Sequence, residues 1–314
     1  MNVPAFAEQQ HDLEQFRHLL FHLQMECGSI HQLLRFFKDG ENFKHFDALK
    51  ELDPNLMPQL LAREYVLEAR KATSNEEARE HLEAALQLDP HCPEACLELA
   101  AIAPSDEASM MWYQRSMDAT VALLGETRMA SLMEVFRSKP WQQVETHTYF
   151  KAKVNLAEKL FRTGYYEVSI LHFSELLALD PADSLNLRHY LITALLCENR
   201  LVEAMELSDK YPDDLSACWY YCRAFLRYKQ EGDSRRSRRL MGRAFQRNLW
   251  VPVYLLGIEK MPPARLLNNR KSIKPLREGS RLEAAECVRC IGPAFCEDNP
   301  LIYWTWEVLK EVAG

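Results

Sequence analysis

The sequence predicts an all-α fold, a solenoid of stacked antiparallel helix pairs. Two observations carry that prediction. Glycine is scarce, 10 residues in 314, in a chain that is otherwise of ordinary globular composition, 47% hydrophobic and 26% charged. Apolar residues also recur at helical spacing with a period near 34 residues, and several units close on Leu-Asp-Pro. The glycine spacing excludes whole classes of function. No two glycines lie closer than ten residues, Gly232 and Gly242 being the nearest pair. The dinucleotide fingerprint, the phosphate-binding loop and the nucleophile elbow all need clustered glycines, to bring backbone N–H groups against a phosphate or to make a strained turn.

The units follow in order. A weak one occupies Ile30–Pro54 and ends Leu52-Asp53-Pro54. Leu56–Pro90 carries Tyr65, Val66 and Ala69 on its first helix and Ala78, Leu82, Ala85 and Leu86 on its second, the small residues marking a close helix approach. Pro93–Gly125 reads as a short first helix and a long second one. The clearest unit, Phe150–Asp183, places Leu156, Ala157, Leu160 and Phe161 before a break at Gly164, then Tyr166, Ile170, Phe173 and Leu176 before Asp180-Pro181. Leu185–Pro212 and Leu215–Asn248 repeat the form. One such pair cannot bury its apolar face alone, so neighbours must stack on it. Residues 1–55 are expected to cap the stack, 56–248 to form it with a non-repeat insertion at 126–148, and 249–314 to extend it. In that extension the helical period stops after Asn248, a basic loop spans Asn268–Arg281, and a last helix, Leu282–Ile291, precedes Gly292-Pro293 and an aromatic tail.

Leu156, Ala157, Gly164, Tyr166, Phe173 and Pro181, with Ala78, Ala85 and Pro90 in a second copy, resemble the signature of the tetratricopeptide repeat. A tryptophan usual near the start of the first helix is absent from both, and Ser169 stands where alanine is usual. The run Lys139-Pro140-Trp141-Gln142-Gln143-Val144-Glu145-Thr146, the run Val251-Pro252-Val253-Tyr254-Leu255-Leu256-Gly257 and Glu283-Ala284-Ala285 are similar to a group of uncharacterised bacterial tetratricopeptide proteins. The C-terminal part resembles the suppressor-of-tumorigenicity family. Together these resemblances cover roughly Ser74 to Trp304 and imply a right-handed α-solenoid whose first helices line a concave groove. They imply no catalytic role. Lys151 and Asn155 match two positions that clamp a terminal carboxylate in the chaperone-binding members, but the next unit lacks the remaining basic residues.

Candidate chemistry is sparse. Cys287 and Cys290 form a CxxC with Cys296 nearby, but no second CxxC or adjacent histidine completes a structural zinc site, so all three read as thiols and no metal or cofactor is expected. Cys92/Cys96 and Cys218/Cys222, at i,i+4, read as small apolar residues at helix contacts. The ten histidines form no metal or triad pattern. Charge is the stronger signal. Residues 223–281 hold 16 Lys and Arg against 4 Asp and Glu, a net of +12 in a chain whose total is −7. Arg235, Arg239, Arg243 and Arg247 are spaced by four on one helix, flanked by Arg236 and Arg238. Like charges at this spacing repel, so something anionic must answer them: the acidic remainder of the chain, an acidic partner, or nucleic acid.

The expectation is therefore a non-enzymatic adaptor that binds a protein or peptide segment in the groove through Lys151, Lys153, Asn155, Asn186, Tyr190, Trp219 and Arg223. Arg235, Arg236, Arg239, Arg243 and Arg247 would hold an acidic partner, or alternatively a nucleic acid or other polyanion. Residues 1–12 lack a basic and apolar signal pattern, and the longest apolar run, Trp250–Ile258, is far short of the roughly 20 residues of a membrane span. Nine cysteines with no secretory signal suit reduced thiols in the cytoplasm.

Overall fold

The computed structural model describes residues 16–17, 19–24, 27–38, 43–135, 144–263 and 277–313. Every regular element among them is helical: α1 (Ile30–Lys38), α2 (Phe43–Leu52), α3 (Leu56–Lys71), α4 (Asn75–Leu88), α5 (Pro93–Ala101), α6 (Asp106–Leu124), α7 (Glu126–Val135), α8 (Val144–Arg162), α9 (Tyr166–Leu179), α10 (Arg188–Cys197), α11 (Leu201–Lys210), α12 (Ala217–Glu231), α13 (Arg235–Arg247), α14 (Trp250–Leu255), α15 (Arg281–Cys296) and α16 (Asn299–Ala313). Each expected unit is a pair of helices. None of the helices among the described residues is long and apolar enough to cross a membrane. Lys139, Pro140, Trp141, Gln142, Gln143 and the basic stretch 268–276 lie outside the described residues. The chain divides into two units, Met1–Lys159 and Leu160–Gly314, the division falling within α8.

In the first unit α3 packs on α4 and α5 on α6. Ala62, Val66 and Ala69 of α3 meet Ala78, Leu82 and Ala85 of α4 in one buried cluster. The short side chains let the helices approach closely, so a bulkier residue at Ala78 or Ala85 overpacks the contact. Asp89 ends α4 and turns the chain. Its carboxylate accepts the His91 N–H at 3.1 Å and its carbonyl the Cys92 N–H at 3.0 Å, after which Pro93 opens α5 where no intrahelical donor is needed. Between α5 and α6 the buried hydroxyls of Ser109 and Ser116 donate to the carbonyls of Ala100 and Pro93, each at 2.8 Å. A second cluster joins Leu20 and Phe21 to α1, α2 and the start of α3.

In the second unit Gly164 turns the chain into α9 at φ +83°, and Asn199 makes the corresponding turn into α11 at φ +55°. Serines start the later helices: Ser216, Ser234 and Ser280 cap α12, α13 and α15 by accepting backbone N–H groups.

The C-terminal segment departs from expectation. Helix continues beyond Asn248 as α14. The last predicted helix does not stop at Gly292-Pro293; α15 runs through both to Cys296, and the aromatic tail is helix α16. An interior proline costs a helix roughly 3 kcal/mol, and here burial of Ile291, Ala294 and Phe295 around Pro293 offsets it. The insertion is also partly helical, since α7 fills Glu126–Val135. Above all, the extension is not an appendage: α15 packs against α10, α12 and α14, and α16 against α12, α13 and α15.

Candidate binding surfaces

α13 presents the arginines. Ser234 caps it, accepting from Arg236 and Ser237 N–H, while the Ser234 N–H donates to the Ser237 hydroxyl. No carboxylate occupies its first turn; Arg235 and Arg236 stand there, at the positive end of the helix dipole. Two arginines are answered internally. Arg238 pairs with Asp233 and Glu311, and Arg247 with Glu278 at 2.7 Å. These bonds hold the carboxyls of Asp233 and Glu278 below the usual range. Among the described residues, Arg235, Arg236, Arg239 and Arg243 are exposed and pair with no carboxylate. Arg236, Arg239 and Arg243 line a groove of about 290 Å³ with Arg223 and Arg227 from α12, and Asp209 is the one carboxylate in its wall. Arg223 is fixed by Ser208, donating to its hydroxyl at 3.0 Å and its carbonyl at 3.1 Å. Arg227 lies 3.6 Å from Glu231.

The groove residues expected from the repeat pattern fare unevenly. Lys151 is exposed and Asn155 half-buried on α8. Lys153 is 5% exposed, its ammonium 5.7 Å from the Tyr149 ring. Asn186 precedes α10 in a turn, at φ +59°, and is not on a first helix. Tyr190 stacks on Phe173 with ring centroids 5.6 Å apart. Trp219 is 0% exposed and donates its indole N–H to the Tyr211 carbonyl at 3.0 Å. Lys153 and Trp219 thus offer no surface to a ligand. On the second unit Trp219 packs between His189 of α10 and Tyr211, with ring centroids 5.7 and 6.1 Å away, while α15 lies on α10 and α12.

The thiols mark that contact. Cys218 and Cys222 of α12 meet Cys287 and Cys290 of α15, all four buried, and the three neighbouring thiols together with burial hold the Cys218 thiol well above its usual value. The Thr193 hydroxyl of α10 lies 3.9 Å from the sulfurs of Cys222 and Cys290. Cys296 is exposed, and all nine cysteines are free. No group of three His, Cys, Asp or Glu among the described residues could hold a metal ion.

One constellation was not foreseen. Ser216, His189 and Asp214 meet, but both the hydroxyl and the carboxylate contact the same imidazole nitrogen, Nε2, at 3.1 and 2.9 Å. A nucleophilic triad needs the two groups on opposite nitrogens, and the Ser216 hydroxyl already caps α12. Arg188 joins at 2.7 Å from Asp214, so the cluster ties α10 to the loop before α12. Compared with known proteins, the chain matches no family model and no curated sequence.

Proposed function

We propose that this chain is a non-enzymatic binding scaffold, a right-handed solenoid of tetratricopeptide type, that docks an acidic protein segment along α13. One observation supports the reading above others: four exposed arginines on one helix have no carboxylate partner among the described residues, and three of them converge on a groove with Arg223 and Arg227. Such a helix pays for its like charges in stability, and an anionic partner relieves that cost. Lys151 and Asn155 remain candidates for a second contact on α8, and nine free cysteines suit a reducing, cytoplasmic setting. Aromatic side chains for base stacking are absent from the walls of the arginine groove, which favours protein over single-stranded nucleic acid.

Fluorescence anisotropy tests this with a labelled 12-residue peptide rich in glutamate and a labelled single-stranded DNA of equal charge. The expected result is peptide binding that weakens with salt and falls at least tenfold in the Arg236→Glu/Arg239→Glu/Arg243→Glu protein. Equal binding by the charge-reversed protein removes α13 from the function. Tighter binding of DNA than of the peptide, lost in the same variant, reassigns the face to nucleic acid.

A further inference from the structure

The unit Met1–Lys159 holds a cavity of about 300 Å³. Its polar wall includes Arg63 and Arg70 from α3, Glu94 from α5, Thr120 from α6 and His147, Thr148 and Lys151 from α8, with His22 beside them. Its apolar wall includes Phe21, Pro93, Leu97, Leu123 and Leu124. A concave lining that joins an apolar wall to convergent polar groups suits an amphipathic small molecule, and the volume stands at the small end of the range for such sites.

Arg63 is the unusual member. The residue is 2% exposed, with its guanidinium 3.8 Å from the centre of the Phe21 ring. Its Nε lies 3.4 Å from the Glu94 carboxylate, close enough for charge attraction, yet neither Nε nor Nη1 makes a hydrogen bond. A buried arginine with two nitrogens that donate to no acceptor among the described residues is costly unless another acceptor completes it. The surrounding field favours an anion. Arg70 is bound to Glu98 at 2.7 Å, but Lys151 has no carboxylate partner among the described residues. His147 reports that field: burial, then the positive charges of Lys151 and Arg70, hold it below the usual imidazole value. Glu94 in the same wall sets a limit. With Arg70 neutralised by Glu98, Arg63 and Lys151 against Glu94 leave one net positive charge, which a single carboxylate matches.

We propose that this cavity binds a small amphipathic monocarboxylate, its head among Lys151, Arg63 and His147 and its apolar body against Phe21, Leu97, Leu123 and Leu124. The inference is independent of the α13 reading, which concerns residues of the other unit.

Ligand-observed NMR and calorimetry on the full chain test it with octanoate, phenylacetate and the uncharged octanamide. Octanoate should bind at least tenfold more tightly than octanamide. Lys151→Gln, an exposed and unpartnered position, should weaken octanoate at least fivefold and leave octanamide unchanged. Saturating octanoate should also raise the pKa of His147, read from its imidazole signals, because a bound anion stabilises the imidazolium. Equal affinity for acid and amide, an indifferent Lys151→Gln protein, or an unmoved His147 overturns the proposal. So does tighter binding, by more than tenfold, of an N-acetylated hexapeptide with a free apolar C-terminal residue, which would assign the cavity to peptide ends.

Discussion

Asp214 shows how one residue can make a helix contact sensitive to acid. Its carboxylate receives the Arg188 guanidinium at 2.7 Å, the His189 imidazole at 2.9 Å and the Ser216 N–H at 2.8 Å. Burial alone would raise its pKa, but His189 and Ser216 outweigh burial and hold it well below the usual carboxylate range. A carboxyl depressed in the folded state stabilises fully above its unfolded pKa, near 3.9. That stability is lost as pH falls from there toward the folded value. Replacing Asp214 with asparagine removes one of the two carboxylates of Arg188, which keeps Asp183 at 2.7 Å, and losing a charged hydrogen-bond partner costs about 2 kcal/mol. Denaturant unfolding of both proteins between pH 2 and 7 should show that difference at pH 7 and a narrowing gap below pH 4. A gap that persists undiminished at pH 2 would mean that charge is not its origin. Nothing local in the sequence announced this cluster, because Ser216 and Asp214 meet His189 only after α10 and α12 are placed.

At the level of elements, the helix pairs were legible because each unit carries its own periodicity and its own stop. Leu88-Asp89-Pro90 ends α4 through local hydrogen bonds, and Gly164 turns at positive φ. The C-terminal helices were less legible. Gly292-Pro293 reads locally as a stop, and only the burial of the flanking Ile291, Ala294 and Phe295 carries α15 past it. The arginine spacing of α13 was legible in the sequence, and the structure adds which arginines are taken up: Arg238 and Arg247 pair internally, while Arg235, Arg236, Arg239 and Arg243 pair with no carboxylate among the described residues. This division yields a prediction about the helix itself. Arg235 opens α13 next to its Ser234 cap, where a cation opposes the dipole and an anion supports it. Arg235→Glu should stabilise the protein by roughly 0.5 kcal/mol, read as a rise of about 1–2 °C in thermal midpoint. A charge reversal that stabilises the fold while weakening acidic-peptide binding identifies a residue kept for binding. A fall in the midpoint would show that Arg235 already has a favourable partner.

Across the whole molecule, what the sequence concealed was long-range. The cavity of the first unit draws its walls from Phe21 to Lys151, and no window of the chain holds more than a few of them. Trp219 carried the right spacing for a groove residue, but spacing on one helix cannot reveal that Trp219 packs against His189 and Tyr211, or that α15, some sixty residues later in the chain, packs on the same helix. The cysteines make that covering measurable. Buried thiols resist deprotonation: burial pushes Cys197 up to about 12 and Cys96 to about 11. Since the thiolate is the reactive form, such groups are slow toward disulfide reagents while the fold is closed. In the native chain an aromatic disulfide should therefore modify Cys296 first, the one exposed cysteine. A chain ending at Pro263 lacks α15 and α16, which uncovers the face of α12 that carries Cys218 and Cys222. Those two thiols should then react within the time Cys296 took in the full chain. Cys92 and Cys96, buried among α3, α5 and their neighbours in the first unit, should stay protected, and a far-UV helical signal reduced only by the share of the removed helices should show that the second unit has not simply unfolded. Mass spectrometry of the modified cysteines separates the outcomes. If Cys218 and Cys222 remain protected in the shortened chain, α15 is not their cover, and the α12 face would again need another occupant.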